Sequence, residues 1–299
     1  MRVVVTGASG QVGSEVIRSL LRSGACEVVG LVRRPEAAGR LGRVAHVIAD
    51  YGDQPALRRA LTGADTLVLV SSDGPVAQVI NHHANIIDAA QQAGASHIVA
   101  LSGLDASAGS PFCYAQGYAY TERLLRDSGC GWSVARASIF TEFFLALVRD
   151  ARAGKHVHLP LSDGRISLVS RADVARCLAA LAGGPPTGRC HEITGPAALD
   201  AHSIAALLER GLRTPTTFID TTPAEFCLRR ARAGEDPWWT YAFKTMFDSV
   251  REQRWSTVSG DAHDLTGRAT ASLATVVAST GPTGGGVDST GAAEARHRR

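Results

Sequence analysis

The first half of the chain alternates short apolar runs with longer stretches whose apolar positions recur at helical spacing. Residues 3–5 are a β-branched run typical of a buried strand, and residues 12–21 carry apolar side chains on one face of a helix. Strands that alternate with helices predict an α/β fold, a doubly wound parallel sheet. The same alternation continues with apolar runs at 27–32, 45–49, 66–70 and 97–101 and amphipathic stretches at 54–61 and 78–93.

The second half of the chain has a less regular pattern. It predicts strands over 164–169 and 217–220, a helix over 203–212, and helices that begin at Arg171 and Pro223. We expect a core domain at residues 1–155 and a smaller α/β lobe at 156–279, with some segments of the lobe returning to the core. Residues 280–299 have too little apolar content to fold, which predicts a disordered tail.

Composition narrows the classes of function. The formal charge is +3, from 31 basic and 28 acidic residues, and no stretch before the tail concentrates the basic ones, which argues against a nucleic-acid partner. The six cysteines form no C-x-x-C pair, so we expect no metal site. No apolar run is long enough to span a bilayer, and the chain opens directly on a strand. We therefore expect no membrane partner and a cytoplasmic protein.

The turn between the first strand and the first helix carries three glycines in a G-x-x-G-x-x-G arrangement. Gly7 can adopt a left-handed backbone, Gly10 lets a phosphate approach the main chain, and Gly13 lets the helix pack close to its strand. The helix N-terminus then offers N–H groups to a pyrophosphate. The alternative is that the glycines only mark a turn. In a Rossmann-type sheet the nucleotide is expected to contact Gly7, Ser9, Gly10, Gln11, Val12 and Gly13.

The second strand ends in a pair of arginines. In Rossmann folds this position lies beside the adenosine ribose, where an acid accepts from the 2′-hydroxyl and an arginine accommodates a 2′-phosphate. Arg33 and Arg34 stand here without an acid, which favours NADP(H) over NAD(H). The alternative is that both are solvated loop charges.

Polar residues also follow the third and fourth strands, at the edge of the sheet that faces the ligand crevice in open α/β folds. Asp50 and Tyr51 end the third strand, and Asp50 either lies near the adenine or caps the following turn. Ser71 and Ser72 follow the fourth strand and are expected to line the nicotinamide side of the crevice. The His82–His83 pair within the next helix is interpreted as surface or partly packed imidazoles rather than a metal site.

The chain resembles the NmrA-like branch of the atypical short-chain dehydrogenase/reductase superfamily. The resemblance rests on the glycine-rich turn, on the helix and strand that lead to Ser102, and on motifs such as Ser170-Arg171-Ala172-Asp173 and Glu192-Ile193-Thr194-Gly195-Pro196. It spans about residues 1–279. The matching segments are 3–13, 85–90, 94–102, 121–125, 128–129, 134–140 with Glu142, 170–176, 192–196 and 265–268.

This resemblance implies a catalytic constellation that the sequence meets only in part. Typical superfamily members use a serine after the fifth strand, matched by Ser102, and a Tyr-x-x-x-Lys pair on the next helix. The candidate tyrosines are Tyr114, Tyr118 and Tyr120, but none of them is followed by lysine at the fourth position. We expect Tyr114 or Tyr118 to orient the substrate rather than act as an activated base. The alternative is that they only pack against the helix.

Aromatic residues concentrate in two segments that the family topology brings towards the crevice. They suggest an apolar pocket for a flat polycyclic ligand. A hydrophobic core under the substrate lobe is an equal alternative, and both can hold for different residues. The candidate pocket residues are Phe140, Phe143, Phe144, Trp238, Trp239 and Phe243.

We therefore predict an NADPH-dependent oxidoreductase that transfers hydride to a quinone or polycyclic aromatic carbonyl, in a setting such as natural-product tailoring. One alternative is a non-catalytic NADP(H) sensor that binds a partner protein. Another is a tailoring oxygenase that reduces its substrate and lets it react with oxygen. The sequence leaves the oligomeric state open, with a homodimer as the state to test.

Overall fold

The computed structural model describes residues 1–72 and 74–280. The strands are β1 (Arg2–Val5), β2 (Glu27–Val32), β3 (Ala45–Ile48), β4 (Thr66–Leu69), β5 (His97–Gly103), β6 (Gly131–Ala137), β7 (Arg152–Ala153), β8 (His156–Leu159), β9 (Cys190–Ile193) and β10 (Thr217–Asp220). The helices are α1 (Gln11–Ser23), α2 (Pro35–Ala38), α3 (Gln54–Leu61), α4 (Val76–Gln92), α5 (Cys113–Asp127), α6 (Thr141–Asp150), α7 (Arg171–Gly183), α8 (Ala201–Leu212), α9 (Pro223–Arg232), α10 (Pro237–Arg251), α11 (Asp261–Thr266) and α12 (Leu273–Thr280).

Seven strands form one parallel sheet in the order β3-β2-β1-β4-β5-β6-β9. Because β1 is an interior strand, Val3, Val4 and Val5 are buried, and Val4 pairs with Val29 on one side and Leu67 on the other. The strand order reverses between β1 and β4, which makes the carboxyl ends of these strands the ligand crevice of a doubly wound sheet. The predicted fold class is therefore confirmed.

Helices cover both faces of this sheet. On one face α1 and α7 pack against residues such as Val5 and Val68. On the other face α3, α4 and α5 pack against Leu67 and Ile98. Near-continuous apolar strands such as β4 are what a sheet buried on both faces requires.

The smaller lobe is built on a second sheet in the order β10-β8-β7. Its core contains the fully buried rings of Phe144 and Phe247, and α8, α9, α10 and α12 contribute to it. Two elements beyond residue 155 return to the main sheet, because β9 is its edge strand and α7 packs on α1. The boundary at residue 155 stays a prediction. The tail predicted for residues 280–299 lies outside the described residues from 281 onward.

The strand predicted over residues 164–169 is wrong. This segment changes partner along its length, so no continuous ladder forms. Ile166 makes an isolated antiparallel bridge to Leu199, whereas Val169 makes a parallel one to Phe140.

Candidate cofactor and substrate site

The glycine-rich turn is compact and needs glycine at its key positions. Gly7 has φ of 57° in the left-handed region, and a Cβ added to Gly13 would overlap the Gly7 carbonyl oxygen. A Cβ on Gly10 would lie 3.1 Å from the same oxygen. Gly10 precedes α1 without a side chain to cap it, and the first turn holds no acidic residue. The positive end of the helix dipole is thus open to an anion, which fits a pyrophosphate.

The remaining residues of the turn divide between core and crevice. Val12 is buried against the sheet, so it offers the crevice its backbone, whereas Gln11 is exposed and Ser9 half-buried. Thr6 accepts from the Val70 amide at 2.8 Å and donates to the Val70 carbonyl at 3.0 Å. These two bonds hold the end of β1 against the end of β4.

The ribose end of the crevice has the two predicted arginines at its surface. Arg33 and Arg34 are both exposed directly after β2. Asp50 is also exposed and accepts from the Gly52 amide at 2.8 Å, which is the turn-capping alternative.

Tyr51 is buried at the edge of the crevice. Its side chain is 4% exposed, and its ring stacks on His82 at 5.1 Å. Burial raises the pKa of the Tyr51 phenol. A bound cofactor would therefore contact little of the Tyr51 side chain, because almost none of it is accessible.

The two serines after β4 are each hydrogen-bonded to a histidine of α4. Ser72 Oγ lies 3.1 Å from His82 Nδ1, and Ser71 Oγ lies 3.1 Å from His83 Nε2. Both imidazoles are buried, so the interpretation of surface or partly packed histidines is wrong. The sequence did contain a signal for the burial of His83, because His83 stands four residues after Val79 on the apolar face of the helix.

The His83 ring has a defined tautomer. Its Nδ1 lies 2.8 Å from Thr121 Oγ1, and the Thr121 hydroxyl donates to the Gly117 carbonyl at 2.8 Å. Thr121 therefore accepts from Nδ1–H, which leaves Nε2 as the acceptor for the Ser71 hydroxyl. Burial lowers the pKa of His83 to about 4, so the ring is neutral at physiological pH.

Ser102, the serine at the end of β5, belongs to a buried ionic cluster. Its hydroxyl donates to Glu122 Oε1 at 2.8 Å, and Ser102 is 6% exposed. Glu122 also receives two hydrogen bonds from Arg136, from Nε to Oε1 at 2.8 Å and from Nη2 to Oε2 at 2.6 Å. Sequence reasoning did not assign Glu122 or Arg136 to the site.

The two candidate tyrosines of α5 occupy different places. The Tyr118 ring lies against the end of β5, since a Cβ on Gly103 would be 2.6 Å from Tyr118 Cε2. The Tyr114 hydroxyl donates to the Gly74 carbonyl at 2.6 Å, in the loop after β4. The two rings stack at 6.3 Å. Tyr118 is thus the tyrosine beside Ser102.

Four of the predicted pocket residues make ring contacts with other aromatic side chains. Trp238 packs edge-on against Tyr114 at 6.1 Å and so borders the crevice. Trp239 stacks on Phe243 at 6.0 Å, and Phe143 contacts the same ring at 5.8 Å.

Two of the predicted pocket residues are buried in the lobe core, which corresponds to the core alternative. Phe144 has no exposed surface, and Phe243 is 5% exposed. Phe140 precedes α6, and the guanidinium of Arg171 lies over its ring.

The described part of the chain contains neither a candidate metal site nor a candidate membrane-spanning helix. Residues 1–72 and 74–280 contain no group of three or more side chains able to hold a metal ion. No helix within those residues is long and apolar enough to cross a bilayer.

The fold and the turn define a dinucleotide-binding Rossmann protein, and comparisons with known proteins identify its family. The family model described as NAD(P)H-binding matches residues 7–185. Quinone oxidoreductase 2 of Escherichia coli K12 is 33% identical over 228 residues, which cover 75% of this chain and 79% of that protein. An NAD(P)H azoreductase of Xenophilus azovorans is 27% identical over 223 residues, 74% of this chain and 77% of that protein.

A solved structure agrees with these relatives. The NADPH complex of the Escherichia coli quinone oxidoreductase superposes with a TM-score of 0.86 at 30% identity, covering 93% of this chain and 99% of the other. The chain belongs to the NAD(P)H-binding family, which agrees with the resemblance to atypical short-chain dehydrogenases/reductases. It is an oxidoreductase that uses NAD(P)H, as the sequence predicts.

Proposed function

We propose that this protein is an NADPH-dependent reductase of quinones and related planar aromatic carbonyls. The observation that carries the proposal is the aromatic wall beside Ser102, in which Tyr118 lies on the tip of β5, Tyr114 stacks on Tyr118, and Trp238 packs on Tyr114. A flat ligand gains most from such a surface. The names of the relatives, a quinone oxidoreductase and an azoreductase, support reduction of conjugated planar substrates.

Bound NADPH would supply the hydride. The residues that fit it are the glycine-rich turn and the N-terminus of α1 for the pyrophosphate, with Arg33 and Arg34 for the 2′-phosphate. Ser71 and Ser72 stand at the end of β4 beside this path. The chain's own contribution to the reaction is then to bind, to orient and to exclude water.

The lack of a lysine partner favours an acceptor that needs little acid assistance. The chain has only Lys155 and Lys244, and Lys244 is paired with Asp248 at 2.6 Å on α10. Reduction of an isolated ketone produces a basic alkoxide, whereas reduction of a quinone produces an aromatic phenolate that is already stabilised. We assign Tyr118 the role of orienting the substrate.

The test is nicotinamide absorbance after mixing the purified protein with NADPH and a panel of quinones under argon. The expected result is anaerobic loss of the reduced cofactor with formation of the hydroquinone. Tyr118→Phe is expected to raise KM more than it lowers kcat, because its ring remains but its hydroxyl is lost. Tyr120→Phe, on the same helix, is the matched control.

The two alternatives have distinct outcomes when this assay is run under argon and then repeated in air. Tight NADPH binding with no turnover on any quinone would contradict the reductase and favour a cofactor sensor. A hydroxylated product that forms only in air would favour the oxygenation alternative, including a tailoring role. The cytoplasmic location and the homodimer stay predictions.

A further inference from the structure

The hydroxyl of Ser102 has a fixed polarity. Glu122 is 2% exposed, and its carboxylate receives two hydrogen bonds from Arg136, so it can only accept from Ser102. Because a hydroxyl has one proton, the bond at 2.8 Å to Glu122 Oε1 uses the only donor of the Ser102 side chain.

The lone pairs of Ser102 Oγ remain available. Within residues 1–72 and 74–280, no backbone or side-chain group donates a hydrogen bond to this oxygen. A buried hydroxyl with unused acceptor capacity at the mouth of a crevice is suited to a ligand that brings a donor. An oxyanion would instead meet lone pairs and be repelled.

We propose that Ser102 is an acceptor-only group that binds an N–H or O–H of the ligand, and that Glu122 with Arg136 is the positioning pair that enforces this polarity. The proposal deepens the proposed function and rests on it for the substrate. The donor comes from one of two sources, the carboxamide N–H of the nicotinamide or an amino or hydroxyl group next to the reducible carbonyl. Glu122 is the fourth residue after Tyr118, the position of the lysine in the Tyr-x-x-x-Lys pair, and the proposal gives this position a role.

The cofactor source is tested by binding, without turnover. Dissociation constants are measured by tryptophan fluorescence for NADPH and for its reduced 3-acetylpyridine analogue, which has a methyl group in place of the carboxamide nitrogen. If the cofactor is the donor, the wild type should prefer NADPH by about five- to tenfold, the range of one neutral hydrogen bond, and Ser102→Ala should remove the preference.

The substrate source is tested with a matched pair, 2-amino- and 2-methyl-1,4-naphthoquinone. Their intrinsic reactivities differ, so the measured quantity is the ratio of their KM values in each variant. If the substrate is the donor, Ser102→Ala should raise this ratio, amino over methyl, by about five- to tenfold.

The positioning pair is tested by replacing both members together. Glu122→Met with Arg136→Met removes both ions without leaving a buried charge or an acceptor for the Ser102 hydroxyl, and it frees the Ser102 proton to turn towards the crevice. Whichever preference Ser102→Ala abolishes should fall in this double variant as well. Ser128→Ala, which removes a buried hydroxyl at the other end of α5, is the control that should leave both ratios unchanged.

The outcomes separate the two proposals. If Ser102→Ala changes neither the cofactor preference nor the substrate ratio, the acceptor assignment is overturned. If the double variant keeps the wild-type preference while Ser102→Ala loses it, the role of Glu122 and Arg136 is overturned. If no quinone is reduced at all, the proposed function fails. If the wild type then also binds NADPH and its 3-acetylpyridine analogue equally well, the acceptor role is rejected. If the wild type prefers NADPH and Ser102→Ala loses this preference, the acceptor role is supported.

Discussion

The Tyr114 hydroxyl donates to the Gly74 carbonyl oxygen at 2.6 Å and thereby ties α5 to the loop that follows β4. This loop continues from Ser71 and Ser72, so the bond restrains one wall of the crevice. Removing it should make the loop more mobile before ligand binding, and the ligand must then order it.

We expect Tyr114→Phe to weaken NADPH binding by about threefold to tenfold, the value of one hydrogen bond, with kcat changed by less than about twofold. Titration of intrinsic fluorescence and steady-state kinetics measure the two quantities. Tyr120→Phe is the control, since that ring lies under Arg123 on the same helix. A large loss of kcat at constant KM would mean that Tyr114 acts in the chemical step.

The glycine-rich turn should tolerate substitution according to the space at each position. Gly13→Ala introduces a Cβ that overlaps the Gly7 carbonyl, and we expect a loss of about 2–4 kcal/mol in stability and no measurable NADPH binding at micromolar cofactor. Gly10→Ala, whose Cβ would lie 3.1 Å from that oxygen, should be milder. Gly39→Ala meets nothing within 4 Å and serves as the control. Urea unfolding and calorimetric titration check the series, and a Gly13→Ala protein with normal affinity would contradict the close approach.

The arginine pair should determine the choice between the two nicotinamide cofactors. We expect the double substitution Arg33→Ala with Arg34→Ala to weaken NADPH binding by about 10- to 100-fold, because charge-assisted hydrogen bonds to a phosphate are lost. NADH affinity should stay within about twofold. The NADPH preference of the wild type should also fall as salt is raised, because exposed charges are screened. An unchanged NADPH/NADH ratio would reject the assignment, and Arg22→Ala on α1 is the matched surface control.

The buried His83 should make the protein less stable in mild acid. Its pKa is about 4 in the folded state and about 6.5 when unfolded, so between these values the unfolded chain binds a proton that the folded chain does not. Stability should therefore fall as pH is lowered from about 7 to 4. Burial lowers the pKa of His97 to about 4 as well, which adds a contribution of the same sign.

We expect His83→Gln to reduce this pH dependence. Between pH 7 and pH 5 the variant should lose about 2 kcal/mol less than the wild type, measured by urea unfolding at each pH. His46→Gln, at an exposed position, should keep the wild-type slope. Equal slopes for His83→Gln and wild type would show that His83 titrates normally in the folded state.

Much of the fold could be predicted because its signals are local. The strand at Glu27–Val32 and the helix at Gln54–Leu61 have the predicted bounds, since a β-branched run and a capped amphipathic stretch each act within a few residues. The segment 164–169 failed because its partner changes within the segment, from Leu199 at Ile166 to Phe140 at Val169, and an apolar run contains no information about which partner it meets.

The same division applies to the site. The sequence alone determined the glycine-rich turn, the arginines after β2 and the serines at the ends of β4 and β5, because each depends on position relative to one strand. Only the tertiary structure decided what stands behind those serines: His82 and His83 from α4, and Glu122 with Arg136 from α5 and β6. It likewise assigned Phe144 to the lobe core. These outcomes depend on which side chains meet across the packed layers, and no local pattern contains that information.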